Sequence, residues 1–351
     1  MAHHAHASVS ISEFGLNWPG GITGSTHELV MHGDYIYVTG QNMNQVAKCN
    51  LNGQVVAYFK MPERTKLHPD GSETVEVSGP HGILFDKHGK LWVSLEFFGL
   101  VVQLDQAGKI VKQIDVRMLT EGASAPINPA PHGIGLASDG ETIWFTGKRT
   151  STIGKINPNG SVQHFQLNNL AAMPIFLSGD HDGGIWGTEL LGSAILHVSR
   201  DGQVREFSIP TGGSRPIGII PDPSGKYMWF TEEAGVKIGR IDQAGHITEY
   251  PVPTWTKSDI LGSLAFDPDG NLWVQIYYNH ASGGKDQPQT DGLIKIDKSI
   301  VHAKDGDISG VPFQLYAAPS KGTMMHRIRP DAKGNLWFTE MMTDILGRVS
   351  W

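Results

Sequence analysis

The chain has 351 residues, 28 Lys and Arg against 35 Asp and Glu, a formal charge of −7, and no basic run that would form a polyanion-binding surface. This balance argues against nucleic acid or an anionic lipid surface as partner. No uninterrupted apolar run approaches the roughly 20 residues of a membrane helix, and no apolar signal core opens the sequence, so we expect a soluble protein of open compartment and no membrane partner.

The first ten residues, with His3, His4 and His6, read as a disordered or tag-like N-terminus and are left out of site reasoning. From residue 11 onward one pattern recurs: a Pro-His-Gly-Ile variant, a glycine turn, an apolar residue, a tryptophan register, then a Phe-Thr-Glu variant. A strand such as IGRI follows, then a second glycine turn and a strand resembling ITEYPVP. Seven copies carry Tyr37, Trp92, Trp144, Trp186, Trp229, Trp273 and Trp337 in the tryptophan register. Steps of 43 and 44 residues separate Trp186, Trp229 and Trp273, near the period of about 40–45 for a four-stranded propeller blade. Alternating apolar residues and paired turns predict strands, and no helical period is sustained. The fold class is therefore all-β, a single seven-bladed propeller over 11–351.

The blades are placed at about 26–61, 79–115, 130–168, 173–210, 215–253, 260–318 and 325–351. The last copy stops after its third strand, while ISEFGL at Ile11–Leu16 matches ITEYPV at Ile247–Val252. The N-terminal strand is thus predicted to close the last blade and remove its free edge. Cys49, the single cysteine, falls where sister copies carry Ile156 and Ile241, so it is expected to be buried core. Four segments exceed the repeat, Pro62–Gly79, Arg117–Ala130, Tyr277–Gly292 and Val301–Thr323. They read as long loops, three of them on the face where each blade's first strand begins.

At that face two rings of side chains are expected. The first comprises His27, His81, His132, Ile175, Ile217, Gly262 and His326; the second comprises Gly40, Leu95, Gly147, Glu189, Glu232, Ile276 and Glu340. Circular order brings four imidazoles onto adjacent blades as one arc, with Glu189 and Glu232 across the mouth. Only the last blade combines a histidine, His326, with a glutamate, Glu340. An imidazole near a carboxylate can act as a base or as a metal ligand that the carboxylate orients. A Pro-His-Gly phrase can also be purely structural, its imidazole bonded to a neighbouring blade's backbone.

Through PHGI, WFTE, KIGRI and ITEYPVP the chain resembles the virginiamycin B lyase family over essentially its whole length. The resemblance implies a seven-bladed propeller that opens a cyclic depsipeptide without water. In that reaction a base takes a proton beside a carbonyl, Mg²⁺ steadies the enolate, and the ester carboxylate leaves. Carried over by position, the catalytic histidine is His326 and one metal-binding glutamate is Glu340. The second glutamate position holds Met324, and the substrate-contacting histidine of the preceding blade is Gly262.

The sequence therefore predicts a non-hydrolytic lyase acting on a cyclic or polycyclic natural product. His326 is the base, Glu340 its orienting partner or a Mg²⁺ ligand, and His27, His81, His132, Glu189 and Glu232 are substrate contacts. A metal-independent cyclase or pericyclase and a non-enzymatic binding scaffold are the alternatives. The expected partner is a small molecule and the expected state a monomer.

Overall fold

Alternating strand residues and Asp-x-x-Gly turns produce one unit repeated around an axis. In the computed structural model, which describes residues 8–21, 24–280 and 289–351, seven four-stranded antiparallel sheets form a β-propeller. Blade one runs Thr26–His32, Tyr35–Gly40, Gln45–Asn50 and Val55–Lys60, from the axis outward. Blade seven places Met325–Pro330, Leu336–Glu340 and Ile345–Ser350 in the same order, and Ser10–Gly15 supplies its outermost strand. Ser10 pairs with Ser350 and Gly15 with Ile345, so the two ends of the chain close one sheet. The strand thus begins inside the segment expected to be disordered; residues 1–7 lie outside the described residues.

The tryptophan register is the core between blades, with Trp144, Trp186, Trp229, Trp273 and Trp337 fully buried. A buried indole N–H needs an acceptor, and the aspartate that starts the preceding turn supplies it in four blades: Asp86 to Trp92, Asp222 to Trp229, Asp267 to Trp273 and Asp331 to Trp337. The same aspartates cap their turns, as Asp331 does for Lys333 and Asn335. Cys49 is buried core, and desolvation pushes its thiol up to about 12.

Two of the four long segments are not loops throughout. Residues 62–79 contain a hairpin, Glu63–Leu67 paired with Glu73–Val77. The Val301–Thr323 segment contains blade six's outer strand, Phe313–Ala317, so most of its excess lies on the face opposite the mouth. Of Tyr277–Gly292, residues 281–288 lie outside the described residues. Among the described residues no helix is long and apolar enough to cross a membrane.

In five blades the residue just before the third strand latches the next blade at the mouth. Asn44 Oδ1 accepts from the Ser78 and Gly79 amides, Ser151 Oγ from Ala172, Ser193 Oγ from Ser214, and Asp291 Oδ2 from Thr323. Asp344 closes the ring, accepting from the Gly24 amide at 3.0 Å, the Ser25 amide at 3.2 Å and the Thr26 hydroxyl at 2.9 Å. Removing an ionised acceptor strands its buried donors. Asp344→Ala should therefore cost about 2–3 kcal/mol in urea denaturation, with Asp344→Asn less harmful; a change within about 0.5 kcal/mol would mean that the latch carries no stability.

Candidate functional site at the propeller mouth

Every inner strand except its first and last residues is shaped by a bulge. The register against the second strand slips between Thr26 and Leu29, Pro80 and Ile83, Pro131 and Ile134, Pro216 and Ile219, Leu261 and Leu264, and Met325 and Ile328. A bulge re-aims the extra residue, and here that residue is the histidine or its equivalent. In blades two and three the glycine after it is required by close approach. A Cβ at Gly82 would lie 2.6 Å from the His132 carbonyl oxygen, and one at Gly133 would collide with the Ile175 carbonyl.

The four predicted imidazoles do come together. His27 lies 5.1 Å from His81 and 5.0 Å from His326 between ring centroids, and His81 lies 5.4 Å from His326. His81 and His132 stack at 3.5 Å. Hydrogen bonds assign their tautomers: the Nδ1–H of His27 donates to the Ser25 carbonyl, that of His81 to the His132 carbonyl, and that of His132 to Glu96. His81 is fully buried and absent from the cavity lining, so it supports His132 and cannot touch a ligand at the mouth. This corrects its expected role as a substrate contact.

The second ring is shifted by one residue from the expectation. The residues that line the mouth cavity are Lys148, Leu190, Glu233, Tyr277 and Met341, each immediately after a predicted position. The reason is strand alternation. The second-strand residues Thr39, Ser94, Thr188, Gln275 and Thr339 reach the next blade's inner-strand carbonyls. The residue two further on shares that face. Counting two from this repeated Thr or Ser in the sequence was the signal that could have found the lining.

Glu189, Glu232 and Glu340 consequently sit inside their blades, fully buried and outside the cavity lining. Each faces a glutamate of its blade's outer strand: Glu206, Glu249 and Glu13, respectively. Burial first, and then the neighbouring carboxyl, push Glu189 and Glu232 up to about 9 and Glu340 up to about 10. These are proton-sharing pairs. They correct the reading of Glu189 and Glu232 as carboxylates facing the histidines across the mouth, and of Glu340 as the partner of His326. Among the described residues Glu340 has its hydrogen bond from Thr343.

The cavity holds about 230 Å³. Met173, Ile175, Phe176, Leu190, Ile217 and Met325 make its apolar wall, against which His27, His132 and His326 stand. Burial lowers the His326 pKa to about 3, helped by the charges of Arg327 and Lys148, and lowers His27 to about 4, helped by His326. All three imidazoles are neutral at physiological pH. The cavity's charged groups lie apart. Glu96, buried behind the lining, accepts from Gln41 and from His132 at 3.1 Å and forms an ion pair with Lys148 at 3.6 Å. Across the mouth Glu233 accepts from Arg215 at 3.0 Å and from the Tyr277 hydroxyl at 3.1 Å.

A Mg²⁺ site of the kind the resemblance implies needs several convergent oxygen ligands. The residues present do not fit it. Met324 offers a thioether and is exposed, while the Glu340 carboxyl is buried within its blade beside Glu13, outside the cavity lining. No cluster of three ligating carboxylates, imidazoles or thiols forms among the described residues.

The carboxyl pairs give the fold a pH signature. A group whose folded pKa is raised favours folding fully below its unfolded value, near 4.5, and loses that contribution as pH rises through the folded value. The melting temperature should therefore fall between pH 6 and pH 9, and Glu189→Gln or Glu232→Gln, which keep a neutral hydrogen-bonding group, should narrow the gap. An undiminished gap in both variants would place the pH dependence elsewhere.

Comparison with known proteins agrees with this architecture. A model of the virginiamycin B lyase family matches residues 105–284, just over half of the chain. A virginiamycin B lyase from Nocardia farcinica is 29% identical over 225 residues, covering 53% of this chain and 74% of that protein. Among solved structures, a streptogramin B lyase superposes with a TM-score of 0.73 at 21% identity over 97% of both chains. A catalytically inactive virginiamycin B lyase from Staphylococcus aureus, with quinupristin, superposes with a TM-score of 0.75 at 22% identity, over 98% of this chain and 100% of that one. These structural likenesses carry the fold, and the family match over residues 105–284 carries the assignment: the chain belongs to the virginiamycin B lyase family, a family of lyases.

Proposed function

We propose that this protein is a non-hydrolytic carbon–oxygen lyase that opens a cyclic ester in a small-molecule natural product, with His326 as proton acceptor. The observation that carries the reading is the state of that imidazole. His326 lines the cavity, is held neutral and makes no hydrogen bond among the described residues. Its Nε2 is buried without a partner, with the rings of His27 and His81 near perpendicular to its own at 85° and 84°. No hydrogen bond among the described residues commits either ring nitrogen, so the neutral imidazole keeps one lone pair free to accept a proton.

In the reaction, the unprotonated ring nitrogen of His326 takes a proton from the carbon next to a carbonyl. The C–H electron pair becomes the new C=C bond, and the adjacent C–O bond breaks with its electrons leaving on a carboxylate. The product is an isomer of the substrate, no water is added, and the imidazolium returns its proton to solvent. The apolar wall keeps water from competing as nucleophile. Neutral imidazole is always available there, though desolvation also makes it a weak base. The substrate named with the Staphylococcus aureus relative, quinupristin, is the first compound to test.

Incubation with quinupristin, followed by chromatography and mass spectrometry, should give a ring-opened product of unchanged mass. His326→Ala should lower the rate by about 10²–10⁴ with an unchanged melting curve. A mass gain of one water, or no product from any cyclic depsipeptide, would overturn the reading. Because the His326 pKa lies at about 3, kcat/KM should stay level from pH 8 to pH 5; a fall centred near the ordinary imidazole value of about 6.5 would assign the proton transfer to another group.

A further inference from the structure

Elimination puts negative charge on oxygen, first on the carbonyl beside the deprotonated carbon. A weakly basic imidazole cannot create that charge unless something stabilises it. The oxygen ligands for a divalent cation do not converge in this chain, so the cavity lining must be searched for another electrophile. Among the described residues that line it, one side chain is a Lys or Arg: Lys148.

We propose that Lys148 is a catalytic residue, its ammonium stabilising the oxyanion that develops in the cavity as His326 takes the proton. This rests on the lyase reading and deepens it: the elimination runs without a metal. Lys148 follows the second strand of blade three and His326 lies on the inner strand of blade seven, so cation and base reach one cavity from well-separated blades of the ring. The proton leaves to one side and the charge develops toward the other.

The surroundings keep the ammonium in place without consuming it. Lys148 Nζ stands 3.6 Å from Glu96 Oε1, while the other Glu96 oxygen is held by Gln41 and by His132. The Glu96 backbone carbonyl accepts from Asn128 at 2.9 Å, fixing that residue further. An ammonium has three N–H donors, so Glu96 leaves others for a ligand. The charge already reaches the base, since Lys148 contributes to lowering both His132 and His326. The acidic residue of the lining, Glu233, is compensated by Arg215 and occupied by Tyr277, so it does not cancel the Lys148 field. Next to an apolar wall such a charge acts more strongly on a developing anion than it would in water.

The test uses oxalate, a planar dianion that mimics an enolate, titrated into the full-length protein in EDTA while the histidine ring protons are followed by NMR. Wild type should bind saturably, Lys148→Arg should keep binding, and Lys148→Met should bind at least about tenfold more weakly. Melting curves confirm that the variants fold. Equal affinity in Lys148→Met, no binding by wild type, or binding that appears only with added Mg²⁺ would overturn the proposal. On any depsipeptide that wild type opens, Lys148→Met should lower kcat by about 10²–10³ with KM little changed and EDTA without effect. If wild type opens none, the lyase reading falls, and the oxalate titration still decides whether Lys148 forms an anion site.

Discussion

The structure depends on one repeated interaction, a second-strand side chain that spans two blades. Thr39 receives the Glu28 amide of its own bulge and donates to the His81 carbonyl of the next blade at 2.8 Å. Ser94 does the same between Gly82 and His132, and Thr339 between Arg327 and His27. Gln275 extends the device with an amide, receiving the Ser263 amide and donating to the Arg327 carbonyl. A bulge leaves backbone groups without ladder partners. These bridges satisfy them, and in doing so they fix the angle at which each imidazole enters the channel. Fold closure and site geometry thus share one cause.

Burial then sets the electrostatics. The same desolvation that keeps the imidazoles neutral keeps the Glu189, Glu232 and Glu340 carboxyls protonated, because in both cases it disfavours the charged form. One buried pair of opposite charges lies beside the imidazoles. Glu28 and Arg327, the residues that take the place of the bulge glycine in blades one and seven, lie 3.6 Å apart. Lys148 is partly exposed at the mouth and stands 3.6 Å from Glu96. The mouth is therefore an apolar cavity with neutral bases at its floor and compensated charge at its rim.

The chain shares the propeller scaffold of the virginiamycin B lyase structures it superposes on. His326 keeps its place on the bulge of the last blade, and its neighbour in the second ring is Met341, not a carboxylate. The substitutions Met324 and Gly262 read in the sequence are matched by the placement of Glu340, whose carboxyl belongs to a pair within the blade.

The sequence by itself determined the architecture. The spacing of the tryptophans, the aspartates that begin their turns, and the match of Ile11–Leu16 to an outer strand are local signals, and each is decided by residues close in the chain. It also placed the histidines on one arc, because circular order follows from the count of blades. Only the tertiary structure decided which side chains face the cavity. In a strand a shift of one residue reverses the face, and the face of Glu340 or Met341 is set by contacts with the next blade, through Thr339 and His27, more than 300 residues apart. The burial of His81 behind His132 and the meeting of Glu340 with Glu13 are likewise products of ring closure. No local pattern could reveal them, because the partners that bury and pair these groups come from the next blade or from the opposite end of the chain.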